Sequence, residues 1–347
     1  FHALPPLTNK KGELLNAVYG FTSMLLKVIN ELKPDYIAAS FDLAGPTFRH
    51  EEYKEYKATR VKAPDELYAQ IDRVKEMVRA MNIPIYEKEG FEADDVIGTM
   101  VRQSEENTEQ KVVENIIVTG DLDTLQLISP KTKVYALRKG MSDTIIYDEE
   151  AVQERYGLRA DQMIDYKGLR GDQSDNIPGV KGIGEKTAVT LLQKYQTLEN
   201  VYAHLKEIKG AVKDKLERDK MRAFMSKKLA TIVKDIPLKL DFSQAITREF
   251  DRRKLVTLFQ ELNFFSLIKR IPSSTNYESN TNVRITNEKE DVKEIKDFKF
   301  EKIEAEKIDE YVKLLNQQKE VAISLETIGS KYFDSTVRGL AFCFKTG

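Results

Sequence analysis

From Glu13 to Leu32 the apolar residues Leu14, Leu15, Val18, Phe21, Leu25, Val28, Ile29 and Leu32 return every three or four positions, which predicts an amphipathic helix. The apolar run Tyr36 to Phe41 predicts a short buried strand that ends at Asp42. A second helix is predicted from Pro64 to Met81, with Pro64 in the first turn, where its missing N–H costs nothing. A short strand follows near Ile83 to Tyr86, and a third helix opens at Glu92. Ile116 to Val118 predicts a buried parallel strand leading into Gly120-Asp121, and Thr124 to Ile128 starts another helix. Strands alternating with helices over about 150 residues imply an α/β unit with a mostly parallel sheet flanked by helices, whose ligands bind beyond the carboxyl ends of the strands. Asp42 and Asp121 fall at such ends.

After Asp148 the pattern turns helical, in short segments broken by Gly-containing turns, as far as Ile271. The expected division is an α/β core over 1–147, a helical subdomain over 148–271, a polar and charged linker over 272–300, and a further unit over 301–347. In that last unit Ile308 to Leu315 reads as helix and Val321 to Leu325 as strand. A chain of 347 residues suits two or three domains.

Composition narrows the classes. With 55 Lys+Arg against 56 Asp+Glu the net charge is -1, so any attraction to nucleic acid must come from local clusters. The single cysteine, Cys343, excludes a disulfide framework and a thiolate metal site, and fits a reducing cytosol. No run of about 18 apolar residues is present to span a membrane. The start at Phe1, with neither an initiator methionine nor a signal-peptide pattern, reads as a fragment of a longer protein.

Three acidic groups carry candidate chemistry: Glu92-Ala-Asp-Asp95 within one helical turn, Asp121-Leu-Asp123 after a buried strand, and the pair Asp172 and Asp175. Like charges gathered at low dielectric repel unless cations neutralise them, and hard oxygen ligands favour magnesium or manganese. Any one pair also suits an acidic surface loop or a helix start. Together they suit a basin for two divalent ions about 4 Å apart, which activate water and stabilise the attacking and leaving oxygens of a phosphodiester.

Two further segments suit nucleic acid. Phe48 to Lys62 interleaves Tyr53 and Tyr56 with Arg49, Lys54, Lys57, Arg60 and Lys62, so that rings can stack on unpaired bases while cations hold phosphate; its composition equally suits a solvated helix face. In Gly179-Val-Lys-Gly-Ile-Gly-Glu-Lys-Thr-Ala188, glycines at 179, 182 and 184 permit a tight hairpin between helices whose second helix opens with amides able to cradle a phosphate. A plain Gly-containing connection is the alternative there. Lys206 to Lys228 holds nine basic and four acidic residues, which reads alone as a soluble helical surface and could extend contact along a duplex.

In order, Phe41-Asp42, Phe48-Arg-His, Tyr56-Lys57 with Arg60, Phe91-Glu-Ala-Asp-Asp-Val96, Thr119-Gly-Asp-Leu-Asp123, Gly171 to Ala188 and Glu261-Leu-Asn-Phe264 resemble the 5′ nuclease domain of bacterial DNA polymerase I over Phe1 to Ile271. The resemblance implies a PIN-like 5′ nuclease fold with a helix-three-turn-helix subdomain, acting in replication and repair as a 5′-3′ exonuclease and flap endonuclease. Its implied substrates are 5′ flaps, nicks, branched junctions and RNA primers, met as a monomer in the bacterial cytoplasm. It also implies two Mg2+ or Mn2+ ions: Asp42, Glu92, Asp94 and Asp95 around one, and Asp121, Asp123, Asp172 and Asp175 extending to the second. Lys57 and Arg60 would lie on a helical arch and stabilise charge developing on the scissile phosphate, while Tyr53 or Tyr56 stacks on the 5′ nucleotide. Arg49, Lys54, Lys181, Gly182, Gly184, Lys186 and Thr187 are the other implied DNA contacts, with K+ at the helix-three-turn-helix. Backbone contacts of this kind select structure over sequence.

The family's opening strand and its metal-binding Asp-Gly motif would align just before Phe1, so weakened metal binding and stability are expected unless a longer chain supplies them. Val321-Ala-Ile-Ser-Leu-Glu-Thr327 resembles the first strand of a polymerase-linked 3′-5′ exonuclease, with Ser324 where that motif has aspartate and Glu326 kept; no polymerase domain is recognised. Against the nuclease stand two other readings: a junction-binding module with impaired catalysis, and an RNA-cleaving relative, which the 179–188 hairpin disfavours.

Overall fold

The computed structural model describes residues 4–109, 114–137 and 143–272, and beyond them 311–313, 317 and the backbone of 321–328 and 336–344. Two compact units divide it, Phe1–Tyr277 and Glu278–Gly347.

In the first unit, helix α1 (Asn16–Leu32) turns Val18, Leu26 and Val28 inward and ends where Lys33 adopts φ 45° and donates its N–H to Ile29 O. Strand β1 (Ala39–Ser40) and helix α2 (Phe48–Glu52) follow. Helix α3 (Asp65–Ala80) lies along α1 and buries Val74, Met77 and Val78. Pro64 is its N-cap, one position earlier than expected. Gln70 of α3 accepts the Ala17 N–H at 2.8 Å, satisfying one of the donors a helix start leaves unpaired. Strand β2 (Ile85–Tyr86) pairs in parallel with β1, Ala39 opposite Ile85. The predicted strand Tyr36 to Phe41 is thus hydrogen-bonded to β2 over only two residues.

Helix α4 (Ala93–Glu106) leads to strand β3 (Asn115–Thr119), a 3-10 helix over Leu122–Leu127, and strands β4 (Thr132–Leu137) and β5 (Thr144–Tyr147). β3 and β4 are parallel and β4 and β5 antiparallel, so two of the three strand pairs in this unit run parallel. The α/β expectation holds. The helix expected from Thr124 is instead a 3-10 turn beginning at Leu122, because Asp121 accepts the Asp123 N–H at 2.9 Å and winds the chain tightly from there.

Helices α5 (Glu149–Tyr156), α6 (Met163–Arg170), α7 (Glu185–Tyr195), α8 (Leu198–Ala203), α9 (Ala211–Arg218) and α10 (Lys220–Ala230) form the helical part, in which α6 packs closely on α10. Three short helices follow, α11 (Phe242–Ala245), α12 (Arg252–Glu261) and α13 (Phe265–Ile268). Core packing crosses the boundary expected at 147/148. One cluster joins Ile117, Val134 and Tyr147 to Leu169, Leu192 and Leu216. A second joins Leu15, Leu26 and Met77 to Phe259, Phe264 and Leu267, so α12 and α13 complete the core of α1 and α3. Sequence distance hid this return.

Within the second unit Tyr311–Lys313 is helical, and strands β6 (Val321–Ile328) and β7 (Thr336–Phe344) pair antiparallel with a register shift at Glu326/Thr327. The expected linker beyond Pro272 and the side chains of Ser324, Glu326 and Cys343 lie outside the described residues. Among the described residues no helix is long and apolar enough to cross a membrane.

Candidate active site

Four carboxylates reach one pocket from two chain turns. Glu92 is the N-cap of α4 and Asp94 stands in its first turn; Asp121 caps the 3-10 helix after β3 and Asp123 stands in that helix. Such helix starts are where a short acidic side chain can satisfy orphan N–H groups and meet a positive dipole end. Asp175 joins them from the loop after α6, and Arg49, Tyr56, Lys57, Leu229, Ala230 and Ile232 complete the lining. Asp42, exposed beyond β1, accepts the Ala93 N–H at 2.7 Å, so it caps the same helix from outside.

The electrostatics follow from this crowding. Burial and then the neighbouring Asp121, Asp123, Asp42 and Glu92 push the Asp94 carboxyl up to about 7. Asp123 is also raised, by burial, against the pull of Lys167. Asp172 is held down at about 2: burial opposes this, but the Lys167 ammonium 2.7 Å away and the Ser174 hydroxyl outweigh it. Lys167 contacts both Asp123 and Asp172. Lys57 Nζ stands 2.8 Å from Glu92 and 3.9 Å from Asp175, which also pairs with Arg60.

The expected ligands therefore divide. Glu92, Asp94, Asp121 and Asp123 face one pocket, Asp175 closes its side, and Asp172 reaches it through Lys167. Asp95 stands apart from them: it is fully buried, and its oxygens accept from Arg49 at 2.7 Å and from the Glu92 and Val233 amides. Arg49, expected as a DNA contact, is 3% exposed and in this structure pairs with Asp95.

The helical arch is corrected. Helix α2 stops at Glu52, Lys57 takes φ 56°, and the Lys57 N–H bonds Asp175 O at 2.9 Å, so the segment folds down in turns onto the pocket. Tyr56 lies beneath it, 3% exposed, donating to Asp175 at 3.0 Å and Glu92 at 3.2 Å, so in this conformation it cannot stack on a base. Tyr53 is half-buried and Lys54 exposed.

The glycine segment is built as a hairpin. Gly171 (φ 77°) and Gly179 (φ 57°) face each other so closely that a Cβ on Gly179 would sit 2.3 Å from Gly171 N. Asp172 and Ile177 bridge inside the loop. Lys181, Gly182, Gly184 and Lys186 are exposed, and Thr187 is half-buried. The turn is fastened to α9 by Lys215 donating to Gly182 O at 2.9 Å and by Lys181 N donating to Asp219 at 2.9 Å. The glycine at 184 meets nothing a side chain would strike, unlike those at 171 and 179.

Sequence reasoning missed Lys167, Gln126 and the floor residues Leu229, Ala230 and Ile232. Gln126 holds that floor by donating to Ala230 O at 2.9 Å and accepting from Ile232 N at 2.9 Å. No spacing rule reaches across these hundred-odd positions.

A metal fits the donor chemistry. All candidate groups are hard carboxylate oxygens, and Asp94 is raised by burial first and then by like charges, the part that a divalent cation would relieve. Among the described residues no three His, Cys, Asp or Glu side chains stand ready to grip one ion. Lys57, Arg60 and Lys167 pair with the carboxylates of Glu92, Asp175 and Asp123.

Residues 1–157 match the family model described as 5′-3′ exonuclease, N-terminal resolvase-like domain, and residues 158–253 match 5′-3′ exonuclease, C-terminal SAM fold. The chain belongs to the 5′-3′ exonuclease family. Among relatives, DNA polymerase I of Caldicellulosiruptor bescii is 48% identical over 273 residues, 78% of this chain and 32% of that protein. DNA polymerase I of Bacillus subtilis is 43% identical over 272 residues, 78% and 30%. The chain thus spans about a third of the length of these relatives, over the 5′ nuclease domain. Among solved structures, a bacteriophage T5 5′-exonuclease with zinc bound superposes with TM-score 0.53 at 18% identity, covering 73% of this chain and 90% of that one. A T5 flap endonuclease in complex with DNA and metal ions gives 0.52 at 18%, covering 73% and 95%. At that identity they show a shared fold, the 5′ nuclease fold. In the 5′-3′ exonuclease family's division α5 belongs with the N-terminal domain, since the models meet at Gly157 and Leu158.

Proposed function

We propose that this chain is a divalent-metal-dependent 5′ nuclease of DNA polymerase I type, which hydrolyses phosphodiesters at 5′ ends and at flaps in replication and repair. The observation that carries the proposal is the pocket in which Glu92, Asp94, Asp121 and Asp123 converge with Asp94 raised to about 7, beside a glycine hairpin with exposed lysines. Relatives named DNA polymerase I and a DNA-bound T5 flap endonuclease of the same fold support it.

Glu92, Asp94, Asp121, Asp123, Asp172 and Asp175 would hold two Mg2+ or Mn2+ ions, with Asp42 at the outer edge. When bound, the ions supply Lewis acidity at the scissile phosphate. Lys57 and Arg60, which pair with Glu92 and Asp175, would offset the charge developing on the phosphate. Leu229, Ala230 and Ile232 would form the apolar part of the pocket's lining beside these carboxylates. Lys181, Lys186, Thr187 and the first amides of α7 grip the duplex backbone, reading shape without base contacts. The Gly182 carbonyl, which accepts from Lys215 Nζ at 2.9 Å, is the group at this turn that would help hold a K+ ion. The proposed substrates are DNA with 5′ flaps, nicks or branched junctions, and RNA primers, met as a monomer in the bacterial cytoplasm.

The test is cleavage of a 5′-labelled flap in Mn2+ or Mg2+ against a chelator control. Structure-dependent cutting that needs the ion supports the proposal. Flap binding without cutting in either ion supports a junction-binding module instead, and preference for plain single-stranded RNA an RNA-cleaving relative.

A further inference from the structure

The pair Arg49 and Asp95 is deeply buried, with Arg49 in the lining of the pocket and Asp95 outside it. Arg49 is 3% and Asp95 0% exposed. The guanidinium fork meets the carboxylate through Nη1 and Nη2, each at 2.7 Å. Its Nε donates to Leu229 O at 2.9 Å and Nη2 also to Thr231 O at 2.8 Å. That leaves one N–H, on Nη1, which lies 3.6 Å from Glu92 Oε2. On the other side, Asp95 Oδ2 accepts the Glu92 N–H at 3.0 Å and Oδ1 accepts the Val233 N–H at 2.8 Å.

Three pieces of chain thus meet at one pair: α2, the start of α4, and the end of α10 with the residues that follow it, which together supply the pocket floor. Removing either partner strands a buried charge and releases all three at once.

We propose that Arg49 and Asp95 are positioning residues that hold Glu92 and the floor segment Leu229–Val233 in the geometry ion binding needs, without ligating the ion. The inference rests on the reading of Glu92 as an ion ligand. Its sign separates it from simple electrostatics. Deleting a positive charge beside the carboxylates favours a cation by Coulomb's law, so a bystander Arg49 predicts tighter binding once removed. A positioning Arg49 predicts weaker binding, as loss of an outer-shell partner costs about 10–100-fold in metal affinity.

Calorimetric titration of Mn2+ into the full chain tests this with Arg49→Gln, Arg49→Lys, Asp95→Asn and the double variant Arg49→Gln/Asp95→Asn, with Asp94→Asn as reference. The expected result is a loss of about 10–100-fold in each single variant and no further loss in the double. Arg49→Lys keeps the charge but not the fork, so it is expected to fail like Arg49→Gln, and it carries the comparison if a thermal melt shows Arg49→Gln unfolded. Mn2+ affinity equal to or above wild type in the folded Arg49 variant overturns the inference, as do losses that add in the double variant. Undiminished Mn2+ binding by Asp94→Asn sinks the ion-site reading itself, a different failure.

Discussion

Replacing Asp94 by Asn removes one negative charge from the carboxylate pocket with almost no change of shape, and the structure gives the size of the effect. The Asp94 carboxyl rises from an ordinary 3.8 to about 7, through burial and then its neighbours Asp121, Asp123, Asp42 and Glu92. That rise corresponds to about 4 kcal/mol by which the ionised Asp94 destabilises the fold. Residual solvent screening brings the expected gain in Asp94→Asn to about 2–4 kcal/mol at pH 8. The sign follows from proton counts. Between pH 4 and pH 7 the folded protein binds more protons at Asp94 than the unfolded chain does, so wild-type stability falls as pH rises through that window. The variant lacks this slope, so its advantage fades as pH drops from about 7 towards about 4. Urea unfolding in chelator at pH 8 and pH 5 measures both numbers. Excess Mn2+ reverses the order at pH 8, because the ion neutralises the wild-type pocket and binds the variant poorly. A variant less stable than wild type in chelator at pH 8, or a gain that does not change with pH, refutes the electrostatic account of this pocket.

Lys57→Ala is expected to lower single-turnover cleavage by about 10²-fold while flap affinity in chelator changes far less; equal losses in both would place Lys57 in binding. Lys186→Ala is expected to weaken flap binding and to reduce the salt slope of binding by about 1, read from affinities over a salt series; an unchanged slope means no phosphate contact there. Gly179→Ala puts a Cβ at φ 57° and 2.3 Å from Gly171 N, and is expected to cost at least about 2 kcal/mol in urea unfolding and to weaken flap binding. Unaltered stability would contradict the hairpin geometry.

What the sequence disclosed follows the range of the forces concerned. Helices α1, α3 and α4 are set by local apolar spacing and caps, and they stand where the pattern puts them to within a few residues. The acidic pairs at 92–95 and 121–123 were visible because helix starts and strand ends are local features too. The fates of Arg49 and Asp95 were not, since each had an equally good local role and only a contact 46 positions apart decides it. Lys57 and Tyr56 sit in a run whose charges suit a helix, yet Asp175 and Glu92 draw that run down into turns. The packing of Phe259 and Phe264 against α1 and α3 likewise joins chain ends that no short window spans. Lys167 reads as one more helical lysine until Asp123 and Asp172 are seen on either side of it.

The central claim, that the carboxylates hold ions for phosphodiester hydrolysis, is tested most directly at Asp123. Single-turnover cleavage of a 5′ flap in Mn2+, with flap affinity measured in chelator, compares wild type with Asp123→Ala. The account predicts ion-dependent cutting by wild type, none detectable in the variant, and flap affinity retained. Cutting by Asp123→Ala at a near-wild-type rate would contradict it.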